Sequence, residues 1–283
     1  MENPLNDFSG TNHQADISLD GLAVNDYDAF APVYREIMGR DYAKIIGGHY
    51  WGEIAYGTTA LPKLRCLDLA CGTGDFGLEL FRRSSHVSGV GIEYLGIDKS
   101  NKQIELAKER ETRDYKSSVK FRQGNVLRCK LPQENDAITM NLDALNHLTN
   151  PGEWYILFYR VNQALKPGGA FLFDMNTQER ILKDWDYPEV IVKPGMTYTQ
   201  ISSGVTSVEG FVKRRLYMEV HSHNEPQNQR YRVLVEQIAP SKDKLFEMLR
   251  LVGFGSAKEI ELDDQNDNHV FLKNRMFVEA RLW

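Results

Sequence analysis

Two carboxylates, a glycine-rich turn and a histidine carry most of the chemistry this chain could do. The run Leu64-Arg-Cys-Leu-Asp-Leu-Ala-Cys-Gly-Thr-Gly-Asp-Phe-Gly77 places Asp68 before a turn in which Gly72, Gly74 and Gly77 spell G-x-G-x-x-G. Glycines there leave bare backbone for a ligand and tolerate positive φ. A helix starting near Asp75 adds unpaired N–H groups. The spacing is that of the dinucleotide fingerprint, a weak signal by itself. A pyrophosphate would be repelled by Asp68, whereas a carboxylate suits a ligand with a cationic group. Asp98 ends a second apolar run, Tyr94-Leu-Gly-Ile-Asp98, 24 residues past Gly74. A carboxylate so placed can accept hydrogen bonds from ribose hydroxyls. Asn125 and Val126 follow a third run, where the Asn125 side chain could cap a loop. A fourth run, Asp136 to Leu142, leads into Asp143, Asn146 and His147. Histidine is a plausible base near neutral pH, although a loop histidine can equally just pack.

These residues need a scaffold that delivers several loop ends to one place. Strands that alternate with helices do so, because an open α/β sheet binds ligands at the carboxyl ends of its strands. Ser100 reads as the N-cap of a helix with Ile104 and Ala107 on its apolar face. Trp154, Leu157, Phe158, Val161 and Leu165 recur at helical spacing, up to the break Lys166-Pro-Gly-Gly169. The run Ala170 to Asp174 then forms a fifth strand. Ser241 caps a helix with Leu245, Phe246 and Leu249 that ends at Gly253, and Glu259–Leu262 and Met276–Leu282 finish the sheet. Residues 204–208, 211–223 and 231–238 alternate as antiparallel strands, with Asn224–Asn228 as a turn. On the middle one Arg215, Tyr217, Glu219, His221 and His223 share a face. That face suits either a polar pocket or a wet sheet surface. Met1 to about Ala15 is polar and is expected to be mobile. Tyr27 to Met38 reads as a helix with an aromatic face, and Arg40, Tyr42 and His49–Trp51 could extend the cover it forms.

The string Asp68-Leu-Ala-Cys-Gly72-Thr-Gly74 resembles motif I of the class I S-adenosylmethionine (SAM)-dependent methyltransferases. SAM carries both an ammonium and a sulfonium, the cationic groups Asp68 suits. Asn141 to Leu148 resembles motif IV of the small-molecule branch, and Leu165-Lys-Pro-Gly-Gly-Ala-Phe-Leu-Phe-Asp174 the segment entering strand five. Ala70 departs from a position where the motif often has Gly, at little expected cost if its backbone is ordinary. Asn125 stands where the family commonly has Asp. The resemblance covers residues 60–175 well and 241–283 more loosely. It implies an α/β, Rossmann-like fold: a seven-stranded, mostly parallel sheet with the last strand antiparallel, plus an antiparallel β insertion as lid. The expected organisation is an N-terminal tail and helical cap (1–60), a SAM-binding core (61–175), a lid or substrate insertion (176–240) and the remainder of the core (241–283). The implied donor-binding residues are Tyr34, Asp68, Ala70, Gly72, Gly74, Asp98, Lys99, Asn125, Val126, Asn141 and Leu142. Tyr27, Asn146, His147, Tyr217, Glu219 and His221 are the expected acceptor-binding residues, and His147, Tyr34 and Asp143 the expected catalytic ones. In amine methyltransferases a similar aromatic segment covers SAM, which assigns Tyr27, Phe30 and Tyr34 to a lid able to make cation–π contact.

Composition sets limits. The chain has 283 residues, a net charge of −5 and 42% apolar residues. Its acidic balance, with a pI near 5.9, argues against a nucleic-acid substrate. Cys66, Cys71 and Cys129 fit neither a disulfide framework nor zinc spacing. His221 and His223 are spaced like strand metal ligands without a matching third, so no metal is expected. With no apolar run of membrane length, the expectation is a cytoplasmic enzyme, monomer or homodimer, acting on a small molecule and on neither nucleic acid nor membrane. A small polar amine is the preferred acceptor. Alternatives are O-methylation of a hydroxyl or carboxyl, an NAD-binding enzyme using the literal G-x-G-x-x-G, or an idle SAM-binding protein.

Overall fold

Five apolar runs become the parallel strands of the larger sheet. The computed structural model describes residues 24–35, 40–55, 63–86, 91–110, 118–186, 189–223, 229–262 and 274–283. Helices α1 (Ala31–Tyr34) and α2 (Arg40–Ala55) precede an alternating series. It comprises β1 (Lys63–Leu69), α3 (Asp75–Ser85), β2 (Gly91–Asp98), α4 (Asn101–Glu109), β3 (Val119–Gln123), β4 (Asn135–Met140), α5 (Pro151–Ala164) and β5 (Leu165–Asn176). Then come α6 (Gln178–Lys183) and a run of strands: β6 (Glu189–Lys193), β7 (Met196–Ser202), β8 (Thr206–Val208), β9 (Phe211–Ser222) and β10 (Arg230–Pro240). Helix α7 (Lys242–Leu251) and strands β11 (Ser256–Glu259) and β12 (Arg275–Arg281) complete the order.

The larger sheet runs β3-β2-β1-β4-β5-β12-β11. Its first five strands are parallel, and β12 is antiparallel to both β5 and β11. This is the expected Rossmann-like architecture. Strand order reverses between β1 and β4, which opens a crevice beyond their carboxyl ends. Both faces are covered, so β1 and β4 are buried along most of their length. On one face Trp154, Phe158 and Val161 of α5 pack with Phe171 and Phe173; on the other, Ile46 and Tyr50 of α2 meet Phe76 and Leu80 of α3.

The second sheet runs β10-β9-β7-β6, with β8 against β9. It holds the three expected strands and two unexpected ones, β6 and β7, which pair as a hairpin around Pro194 and Gly195. Their mixed Thr, Gln and Tyr content hides the alternation, but the Pro-Gly turn was a usable signal. Ser100 and Ser241 cap α4 and α7 as expected, each accepting from the amide three residues on. Strand β11 starts earlier than expected because Gly253, at φ 98°, ends α7 and turns the chain straight into the sheet. The aromatic N-terminal helix starts later than expected, at Ala31 rather than Tyr27, with Pro32 in the first turn of α1. Residues 36–39, the Met1–Ala15 tail and the Asn224–Asn228 turn lie outside the described residues. No helix among the described residues is long and apolar enough to cross a membrane.

Candidate functional site

The glycine turn follows β1 and leads into α3. Gly72 and Gly74 take φ of 54° and 77°. A Cβ on Gly74 would lie 2.4 Å from the Phe121 ring, so glycine is required there for space as well as conformation. Gly77 serves packing: a Cβ would meet Tyr94 at 2.2 Å, and the Tyr94 hydroxyl, admitted by that gap, donates to Asp68 at 2.5 Å. Ala70 overturns one expectation. Its φ is 57°, not an ordinary value, so the missing glycine costs roughly 1–2 kcal/mol of left-handed strain.

Around this turn lies a cleft of about 490 Å³, large enough for a cofactor and a small partner. Of the expected residues, Tyr27, Tyr34, Ala70, Gly72, Asp98 and Lys99 line it, as do Asn125, Val126, Asn141, Leu142, Asp143 and His147. Asp68 lies in a small adjoining pocket that shares Tyr34, Ala70, Gly72, Asn141 and Leu142 with the cleft. Gly74 is in neither; it caps α3. Asp68 also accepts from Thr139 at 2.7 Å and Asn141 Nδ2 at 3.3 Å. Burial pushes its carboxyl up to about 7 despite these hydrogen bonds. Burial also raises Asp98, against the opposing Ser100 and Gly72 amides that donate to its two oxygens at 2.8 Å.

The turn after β4 is strained. Leu142 and Asp143 are consecutive left-handed residues, with φ of 55° and 49°. Asp143 is bound by the Gln237 amide and, at 2.7 Å, by the Arg275 guanidinium. His147 belongs to the same network. Its Nδ1 lies 3.0 Å from Asn25 Oδ1, an acceptor, so Nδ1 carries the proton. Its Nε2 then accepts from Gln237 Nε2 at 3.1 Å and faces the Tyr27 hydroxyl at 3.4 Å. Burial pushes His147 down to about 4, opposed by Asp143. His147, expected as a base, is thus a neutral imidazole with both nitrogens engaged and its Nε2 facing Tyr27. The Tyr27 ring stands edge-on to Tyr34 and to His147, with centroids 5.8 and 5.5 Å apart.

Four expected acceptor-binding residues do not line the cleft. Asn146 is fully buried and donates to the carbonyls of Asn176 and Ile238. Glu219 binds Arg230 and Arg232, each at 2.7 Å, and takes the Tyr217 hydroxyl. The His221 ring packs at a tilt against His223, with centroids 4.3 Å apart. Strand β9 advances roughly 3.3 Å per residue, which carries these side chains past the opening. Only Arg215 of that polar face reaches it, with its cross-strand partner Glu236. Glu236 pairs with Arg215 and with Lys213, both at 2.7 Å. Asn25, Gln103 and Glu236 were not foreseen. Asn25 links three elements: its side chain bonds the Glu236 backbone N–H and C=O, both at 2.9 Å, and its carbonyl accepts from Lys99 at 2.6 Å.

The site suits a cationic nucleoside. Asn141 Oδ1 and Gln103 Oε1 are buried at the cleft wall without a protein partner, and an unsatisfied buried acceptor is expected to find one. Residues 61–238 match the family model described as "Methyltransferase domain". The chain belongs to the class I SAM-dependent methyltransferases. SAM is its methyl donor. This methyltransferase is 32% identical over 176 residues to the "2-phytyl-1,4-naphtoquinone methyltransferase" of Trichormus variabilis, a match spanning 59% of the chain and 72% of that protein. It is 32% identical over 112 residues to the "Demethylmenaquinone methyltransferase" of Lactococcus lactis, covering 38% of the chain and 40% of that protein. Among solved structures, a SAM-dependent methyltransferase from Clostridium acetobutylicum superposes with a TM-score of 0.69 at 17% identity, over 90% of this chain and 98% of that one. CalS10, an amino pentose methyltransferase from Micromonospora echinaspora, gives 0.65 at 17% identity over 90% and 96%. Both structural likenesses are of fold.

Proposed function

We propose that this methyltransferase acts on the amine nitrogen of a small polar acceptor. The observation that carries the reading is His147, neutral and engaged at both ring nitrogens. A hydroxyl or carboxyl acceptor needs a base or a preformed anion, and a neutral amine needs neither for the attack. The other tyrosine and aspartate candidates beside His147 are equally poor bases. Burial raises Tyr27 and Tyr34 well above their ordinary range, so both stay protonated, and Asp143 is tied to Arg275 and Gln237. The roof of the cleft supports a polar acceptor too. Arg215, Lys213 and Glu236 form an ionic cluster there, and covering it with an apolar tail would desolvate charge without return. The quinone methyltransferases among the relatives are named for apolar acceptors, which this roof disfavours.

SAM supplies an electrophilic methyl on a sulfonium. In the proposed arrangement Asp98 and Gly72 hold the ribose end, Asn125 and Val126 face the adenine, and Asp68 and Asn141 hold the ammonium end. Tyr27 and Tyr34 close over the donor and exclude water, their faces able to steady a cation. The second sheet orients the acceptor through Arg215, and most of the rate advantage comes from that positioning. As the nitrogen lone pair forms the N–C bond, the methyl–sulfur bond would break with its electron pair left on sulfur, giving SAH, and the product would leave as the ammonium without having to pass a proton to the protein.

The test supplies purified protein and SAM with amino sugars, matched hydroxy sugars and a short-chain naphthoquinone. S-adenosylhomocysteine (SAH) release and a one-methyl mass gain confined to the amines are expected. Turnover of the hydroxy sugars or the quinone, with the amines inert, would overturn the assignment.

A further inference from the structure

The left-handed pair Leu142–Asp143 turns two backbone amides inward, and one carboxylate takes both. Asp174, fully buried at the end of β5, accepts from Leu142 N at 2.7 Å and Asp143 N at 2.8 Å. Tyr42, from α2, adds its hydroxyl to the same carboxylate. Arg275, on β12, then bridges the two acids: one guanidinium nitrogen lies 2.6 Å from Asp174 and another 2.7 Å from Asp143. Its side chain is 2% exposed and is not part of the cleft wall. Residues so distant in sequence converge because β12 inserts beside β5, setting Arg275 opposite Asn176.

We propose that Arg275 is a positioning residue for the SAM site. It touches neither donor nor acceptor. Its fork holds Asp143 and Asp174 together, and that pair holds Leu142 and Asp143 in a conformation they would otherwise leave. Asn141 and Leu142 reach the cleft only from that turn. Without the fork, two carboxylates lie buried side by side and repel, and the turn relaxes away from the donor. Lysine preserves the charge but is a point cation that does not span both acids. Arg275 acts in this way whichever acceptor is used. The inference rests on the donor placement over Gly72 and Asn141.

The experiment is a double-mutant cycle read by calorimetric binding of SAH. Arg275→Lys is measured alone and in a Leu142→Gly background, where one of the two left-handed positions carries no strain and the turn depends less on the clamp. The expected result is ~tenfold weaker SAH binding for Arg275→Lys alone and a loss below about threefold in the glycine background. Melting curves accompany each protein, because a core residue with only a structural role would lower the melting temperature and leave SAH affinity at low temperature intact. Affinity unchanged within about twofold, or an equal loss in both backgrounds, overturns the proposal. Wild-type protein that does not bind SAH overturns the donor placement as well, which separates the two failures.

Discussion

If Asp68 faces the SAM ammonium, as proposed, SAM binding is expected to be proton-linked. Its carboxyl sits near pH 7 because burial outweighs the hydrogen bonds from Tyr94, Thr139 and Asn141. A cationic ligand selects the ionised form, so its apparent affinity scales with the ionised fraction. That fraction rises from about 0.03 at pH 5.5 to about 0.5 at pH 7, for an increase in SAM affinity of roughly sixteenfold. His147, down near 4, stays neutral across this window and contributes nothing. The unliganded protein moves the other way. A folded value above the ordinary 3.9 gives a stabilisation that is complete below 3.9 and lost as pH rises through 7. Calorimetric titrations with SAM at pH 5.5, 6.2 and 7, in buffers of different ionisation heat, read both affinity and proton release. Asp68→Asn is the control, since it has no proton to lose. A flat wild-type profile, or the same slope in Asp68→Asn, would refute the assignment of Asp68 as the ammonium-facing acid.

Two further outcomes are expected. His147 contributes stability that is present above its ordinary value near 6.5 and is lost as pH falls toward 4, because the unfolded chain takes the proton first. Urea denaturation should therefore show wild type losing ~2–3 kcal/mol more than His147→Asn between pH 7 and 4.5; equal acid slopes would contradict the buried neutral imidazole. Ala70→Gly removes the left-handed strain at φ 57° and, after glycine's own entropy cost, should stabilise the protein by about 0.5–1 kcal/mol, seen as a raised melting temperature. A lower melting temperature would show that the methyl group of Ala70 packs usefully.

The part of the cleft built around the glycine turn was readable because its pattern is local. Asp68, Gly72 and Asp98 lie at strand ends fixed by short apolar runs, so identity and spacing alone place them together. The acceptor half was not. Arg215 stood out on an alternating face, but alternation does not say which residue along a strand meets the opening. Glu236 joins it only through the register of β9 against β10. Asn25 and Arg275 act through contacts spanning 211 and 101 positions, and no local pattern announces such pairs. The conformations of Ala70 and Leu142 were equally hidden, since neither residue type advertises a left-handed backbone.

The roof of the cleft bears on how such an enzyme changes its substrate. Arg215 and Glu236 lie directly opposite each other in a sheet that contributes nothing to the glycine turn. Donor chemistry can thus stay constant while the acceptor wall is rewritten. The rewriting is constrained, however: Glu236→Gln alone leaves Lys213 and Arg215 facing each other without their shared anion. Viable evolutionary paths pass through paired exchanges at 215 and 236, and across descendants these two positions should vary together while Asp68 and Gly72 stand still.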